Sequence, residues 1–257
     1  MVIEGNREGR TSLILATDLD GTFAGGTAAD RELLQQALAR LTGAVLIYVT
    51  GRSVPATREI IAEAGLPHPD VLIADVGTSV RQGEGFAPVD EVEAEMDAVW
   101  PGAETIRQRL GGVRGLEEQS VRAPRRVSYW IREGSMDEAI ERAGAALGEL
   151  NLDLVASAGV YLDVLPPGVN KGTTLRRVLR WLERGESDVV VAGDTLNDLA
   201  LFETGLCGVV VGNCEAELRA RVTGREHLYF AGGEGAAGIL EGLRHFGWLE
   251  RGGPHAQ

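Results

Sequence analysis

Six short, almost continuously apolar runs recur along the chain, at 12–17 (SLILAT), 44–50 (AVLIYVT), 71–74 (VLIA), 188–192 (DVVVA), 208–211 (GVVV) and 227–230 (HLYF). Strands that do not alternate with polar residues must be buried on both faces, the pattern of a parallel sheet covered by helices on either side. Helix-period segments stand between them. Thr27-Ala-Ala-Asp30 reads as a capping box, Leu34, Leu38 and Leu41 follow at helical spacing, and Gly43 is a stop. Further helices are predicted over 55–64, 171–183, 196–203, 215–221 and 236–246. Strand, helix and strand in this rhythm predict an α/β fold with a doubly wound, Rossmann-like parallel sheet.

The rhythm breaks once. From 86 to 165 come an acidic helical stretch interrupted at Pro101-Gly102, a polar irregular run over 114–124, and a strand at 126–131. An Ala-rich helix at 135–150 and two close strands at 152–156 and 160–164 complete it. The close strands predict a hairpin, so the segment reads as a smaller α+β cap inserted into the core. The expected division is a core of 1–85 and 166–257 with a cap of 86–165. That cap carries 15 acidic and 8 basic residues, net -7.

The net charge of the whole chain, -13, argues against nucleic acid as a partner, since phosphate backbones call for a basic surface. No apolar stretch is long enough for a membrane span, and 1–10 carries mixed charge without an apolar run, so neither membrane nor signal peptide is expected. Cys207 and Cys214 are too few for a disulfide framework and read as core thiols. A cytoplasmic location follows as the default.

Four motifs fall just beyond predicted strands or open a helix. Asp18-Leu19-Asp20-Gly21-Thr22 puts two carboxylates on one side of extended backbone, at the strand end where open parallel sheets bind ligands; alone, such a pair is more often a polar loop capping a strand. Thr50-Gly51-Arg52-Ser53 offers amides, a hydroxyl and a guanidinium to an anion, or an ordinary turn with Ser53 as N-cap. Asn170-Lys171-Gly172 sets the only lysine of a chain with 24 arginines at a helix N-terminus, the unfavourable end for a cation. Gly193-Asp194-Thr195-Leu196-Asn197-Asp198 spaces two carboxylates four apart. Each has a bland reading; all four converging on one sheet edge does not.

In that order the motifs resemble the haloacid dehalogenase superfamily of phosphotransferases. The cap position, together with 160–172 (VYLDVLPPGVNKG) and 75–80 (DVGTSV), resembles its sugar-phosphatase branch of sucrose-phosphate and Cof-type phosphatases. Gly21 after the acid pair lies nearer the Cof pattern. The resemblance implies a Mg²⁺-dependent phosphomonoesterase that acts through an aspartyl phosphate on a sugar phosphate, with a disaccharide or glycoside phosphate as the favoured class and no single sugar named by the sequence. It implies Asp18 as nucleophile and Asp20 as general acid and base. Thr50, Gly51, Arg52, Lys171 and Asn197 would bind phosphate or substrate. Mg²⁺ would be held by Asp18, Asp194, Asp198 and the Asp20 carbonyl. A sugar phosphomutase and a silent sugar-phosphate sensor are the alternatives.

Other features have plain readings. Gly233-Glu234-Gly235-Ala236-Ala237-Gly238 matches a dinucleotide-binding pattern but lies too near the end for the sheet that fold needs, so it reads as a glycine-rich turn. His68, His227, His245 and His255 have no metal or triad spacing. Tyr129 and Trp130 alternate on a cap strand, so one could face the site. Arg125 and Arg126 read as salt-bridge partners for acidic neighbours or as substrate contacts.

Overall fold

The computed structural model describes residues 12–157 and 159–250. The 1–10 segment read for a signal peptide and the 251–257 tail lie outside the described residues. Eight strands form one sheet in the order β12-β11-β10-β1-β2-β3-β4-β5. Its parallel members are β1 (Ile14–Thr17), β2 (Val45–Val49), β3 (Val71–Ala74), β10 (Val189–Gly193), β11 (Cys207–Val210) and β12 (Leu228–Phe230). β4 (Ser79–Gln82) and β5 (Ala87–Pro88) extend it antiparallel. Those two escaped the sequence reading because they are short and lack an apolar run; β4 lies between β3 and β5, and β5 is the edge.

Alternate side chains of the central strands feed two separate core layers. Ile14, Ala16, Ile47 and Val191 point into one, against α6 (Lys171–Trp181), α7 (Leu199–Phe202) and α8 (Ala216–Val222). Leu13, Leu15, Tyr48 and Val190 point into the other, against α1 (Ala28–Ala39), α2 (Val54–Glu63) and α9 (Gly235–His245). This is the doubly wound arrangement. The Thr27 capping box forms, with Thr27 accepting from the Asp30 amide and Asp30 accepting from Thr27.

The second sheet runs β6-β7-β9-β8, built from β6 (Leu116–Glu118), β7 (Val127–Ile131), β8 (Asp153–Ser157) and β9 (Tyr161–Leu165), all antiparallel. β6, expected to be irregular, is a charged edge strand, the usual protection against edge pairing. α4 (Ala103–Leu110) and α5 (Met136–Leu147) cover one face through Ile106, Leu110, Ala139, Ala143, Val127, Tyr129 and Leu162. Tyr129 therefore packs inward, and the opposite face is left to Ser128, Trp130, Tyr161 and Asp163.

The expected cap boundary at 86 needs correction. α3 (Asp90–Asp97) sets Val92 and Met96, with Val89 before them, into the core layer of the large sheet. The charge pattern changes at 86, but burial follows this apolar stripe, and the module with its own sheet and core starts near Ala103. Among the described residues no helix is long and apolar enough to cross a membrane.

Candidate active site

The site lies where the strand order turns back on itself. β1 has β10 on one side and β2 on the other, and its register pairs Thr17 with Ala192 and with Tyr48. The residues just past these three strands are therefore side by side at the carboxyl edge, where such sheets bind ligands. They are Asp18, Asp194 and Thr50.

Lys171, the first residue of α6, reaches into this edge. Its side chain is only 1% exposed, and Nζ donates to Asp18 Oδ1 at 2.8 Å and Asp198 Oδ1 at 2.7 Å. The two carboxylates offset the helix-terminal position, which is unfavourable for a cation. Asp198 is fully buried, and its other oxygen accepts from the Asp194 and Thr195 amides, both at 3.1 Å. Thr22 donates to Asp194 Oδ1 at 2.6 Å. One oxygen from each of Asp18, Asp194 and Asp198 lies within 4.8 Å of the others. Three segments more than 100 residues apart at their extremes, around 18–22, at 171 and over 194–198, thus meet in one buried charge cluster.

The family is settled by the match of the sucrose-6F-phosphate phosphohydrolase profile to residues 11–247. The chain belongs to that family. It lies within the haloacid dehalogenase superfamily, as the order of the motifs led one to expect. The mannosylfructose-phosphate phosphatase of Agrobacterium fabrum is 31% identical, over 91% of this chain and 96% of that protein. The glucosylglycerol-phosphate synthase of Pseudomonas anguilliseptica is 39% identical over 95% of this chain, which spans only 32% of that protein. Sucrose-phosphatase 1 of Nicotiana tabacum is 28% identical, with half of its length spanned. Among solved structures, the Synechocystis sucrose-phosphatase in complex with sucrose and phosphate superimposes with a TM-score of 0.81 at 30% identity, over 91% of this chain and 98% of that one.

Gly21, which suggested the Cof pattern, has a local reason. Its φ is +73°, and a Cβ there would stand 2.2 Å from Asp194 Oδ2. The position answers to packing against a neighbouring carboxylate, not to a leaving group.

Burial governs the ionisation of the cluster. It pushes Asp18 up to about 8, with Lys171 opposing and the Asp198 and Asp194 charges adding to the rise. Burial likewise raises Asp194 to about 6, against the hydrogen bond from Thr22. For Lys171 burial works downward, but the Asp18 and Asp198 charges outweigh it, and the ammonium is held above its ordinary value. Three carboxylates face one ammonium, and the second oxygens of Asp18 and Asp194 accept no hydrogen bond from any described residue. Hard, under-neutralised oxygen donors of this kind fit a divalent cation such as Mg²⁺, which would draw the carboxylates back to their ionised forms.

The remaining expected residues divide. Gly51, Arg52 and Asn197 line a cavity of about 430 Å³ together with Asp18, Asp20 and Lys171. Thr50 is buried, and its hydroxyl accepts from the Arg52 amide at 3.1 Å. Asn197 faces Gly51, whose Cβ, if present, would lie 3.2 Å from Asn197 Nδ2. Arg52, expected on phosphate, instead forks onto Asp20 with two contacts of 2.7 Å. The Asp20 side chain accordingly stands outside the carboxylate trio.

A larger cleft of about 940 Å³ opens between core and cap. Gln119, Ser128, Tyr161 and Asp163 bring the open face of the cap sheet to it. Ser128 donates to Asp163 at 2.5 Å, and Tyr161 lines both cavities while its ring lies 4.8 Å from that of Trp130. These residues were missed in the sequence, although the period-2 alternation over 160–164 marks Tyr161 and Asp163 as sharing a face. The glycine-rich turn at 233–238 packs on the loop after Asp20, with the Ala236 amide on the Gly25 carbonyl at 3.4 Å.

Proposed function

We propose that this protein is a Mg²⁺-dependent phosphatase that hydrolyses the phosphate monoester of a phosphorylated glycoside. The observation that carries the reading is the buried Lys171 spanning Asp18 and Asp198 beside Asp194, at the floor of a cavity that opens toward the cap. The names of the relatives carry three phosphorylated glycosides: mannosylfructose phosphate, glucosylglycerol phosphate and sucrose phosphate. A cleft of about 940 Å³ falls within the ~300–1,000 Å³ usual for small-molecule sites. Hydroxyl-bearing and acidic groups on its cap wall suit a neutral, hydroxyl-rich leaving group better than a polyanion.

In this reading an Asp18 carboxylate oxygen attacks phosphorus, and the bond from phosphorus to the sugar oxygen breaks. Asp20 gives its proton to the departing oxygen. Water then attacks the aspartyl phosphate, Asp20 takes a proton from it, and the bond to Asp18 breaks to release inorganic phosphate. Asp18, Asp194, Asp198 and the Asp20 carbonyl would hold Mg²⁺. Bound there, the ion would supply the positive charge that an anionic nucleophile needs to approach an anionic ester. Lys171 adds its own charge beside Asp18. Thr50 and the amides after it bind a phosphoryl oxygen, with Asn197 opposite them. Arg52 holds the Asp20 carboxylate at the cavity rim.

The test is release of inorganic phosphate from a panel of phosphorylated sugars and glycosides with and without Mg²⁺. Wild type should release phosphate only with the ion, and Asp18→Asn should fold normally and release none. Turnover by Asp18→Asn would remove Asp18 from the nucleophilic role. Isomerised sugar phosphate without free phosphate would instead support a mutase, and binding without either product a sensor.

A further inference from the structure

The three carbonyls of the Thr50-Gly51-Arg52 loop are each held by a different donor. The Val76 amide donates to Thr50 O at 3.2 Å and the Asp75 amide to Arg52 O at 2.8 Å. The middle carbonyl, Gly51 O, accepts from Arg126 Nη1 at 3.1 Å. Arg126 belongs to the other module, since it immediately precedes β7 of the cap sheet. Its side chain is 8% exposed, and Nη2 donates to Asp75 Oδ1 at 2.9 Å. Its Nε donates to no described residue, so the two terminal contacts alone set its position.

The peptide plane makes the middle contact consequential. In a trans peptide the N–H points opposite to the C=O, so holding Gly51 O toward the cap aims the Arg52 N–H the other way. There it meets Thr50 Oγ1. The other two donors come from a strained turn. Asp75 and Val76 have φ of +54° and +61°, and a β-branched residue in that region costs ~1–3 kcal/mol unless its surroundings impose it. Arg126 is one of those surroundings, because it neutralises the buried Asp75 carboxylate. Arg125 beside it forks onto Asp97 of α3 at 2.6 Å twice and donates to Thr78 O at 3.3 Å. Adjacent arginines therefore fasten the cap strand to the core next to the turn that shapes the loop.

We propose that Arg126 is a positioning residue through which the seated cap fixes the Gly51–Arg52 peptide and, through the Arg52 N–H, the Thr50 hydroxyl for phosphoryl binding. The proposal rests on the reading of residues 50–52 as the phosphoryl-binding loop. A cap displaced from the core would withdraw the Gly51 contact and uncover Asp75, so phosphate affinity depends on cap seating.

The experiment compares full-length wild type, Arg126→Ala, Arg126→Lys and Thr50→Ala. Its readouts are KM for a sugar phosphate and for p-nitrophenyl phosphate, the inhibition constant of inorganic phosphate, and hydrogen exchange of the 50–54 amides. Arg126→Ala should raise both KM values and the phosphate inhibition constant by about tenfold or more, the scale of a small misplacement of a binding group. Exchange over 50–54 should quicken while that of β10 is unchanged. Arg126→Lys keeps a cation opposite Asp75 but cannot fork to Gly51, so it should recover thermal stability without recovering phosphate affinity. If Arg126→Ala does not fold, Arg126→Lys carries the same comparison. A rise in KM for the sugar phosphate alone would make Arg126 a leaving-group contact and overturn the proposal, as would a lowered Tm with unaltered phosphate inhibition. Weakened phosphate inhibition in Thr50→Ala but in neither Arg126 variant removes this proposal alone. Unaltered phosphate inhibition in Thr50→Ala removes the loop reading beneath it.

Discussion

Replacing Lys171 by Met removes the one cation among three buried carboxylates while keeping a long, flexible side chain in its place. In the native protein Nζ donates at 2.8 and 2.7 Å to Asp18 and Asp198, with the ammonium 1% exposed. Breaking a buried pair from one side costs ~3–5 kcal/mol because the other charge is left uncompensated. At ~2–4 °C per kcal/mol for a chain of this size, the metal-free variant should melt ~6–20 °C below wild type at pH 8. The loss must depend on pH. Asp18 sits at about 8 and Asp194 at about 6 even with Lys171 present. Both are raised above the unfolded value, so their contribution to stability is fully present below pH ~4 and is lost as pH rises through 6 and then 8. Without Lys171 the carboxylates rise further and simply take up protons at pH 5, where the variant should approach wild type. Thermal unfolding at pH 5 and pH 8, with chelator and then with Mg²⁺, reads this directly, and Mg²⁺ at pH 8 should recover part of the loss. An equal deficit at both pH values would mean that Lys171 acts by packing rather than by charge, and the electrostatic account of the site would fail.

Three further outcomes follow from the same geometry. Metal-free wild type should lose stability from pH 5 to pH 8, as Asp75, Asp194 and Asp18 are all raised by burial, and the rise in Tm given by Mg²⁺ should be larger at pH 8 than at pH 5, measured by scanning calorimetry. Gly21→Ala forces a Cβ within 2.2 Å of Asp194 Oδ2 at a positive φ, so it should cost ~1–3 kcal/mol and weaken Mg²⁺ affinity, read by titration calorimetry. Tyr161→Ala should raise KM for a glycoside phosphate about tenfold, the scale of ~1.4 kcal/mol of lost contact, while leaving p-nitrophenyl phosphate less affected, since its ring lies where the cap cleft meets the inner cavity.

The core strands were legible because each is a run of apolar residues long enough to bury both faces, and residues 71–74 match β3 to the residue. The charged residues at their ends were legible for the related reason that a buried strand has little other use for Asp18 or Asp194. Lys171 stood out by rarity. Three short strands were not legible: β4 and β6 are at least half polar, β5 is two residues long, and pairing with a neighbour is what makes them strands. Nor was the start of the cap, because Val89, Val92 and Met96 look the same in sequence whichever sheet they cover.

Local pattern and composition by themselves determined the layered α/β architecture, the interruption by a second module, and the four motifs, three after strands and one opening a helix, on which the chemistry is read. Tertiary structure decided which groups are partners. That Arg52 takes Asp20, that Arg126 of the cap takes Asp75 and the Gly51 carbonyl, and that Lys171 lies between Asp18 and Asp198 are contacts across 27 to 153 residues of chain. Periodicity reports which face of an element is buried; it carries no information about which distant charge will be buried against it, because that depends on how the layers meet.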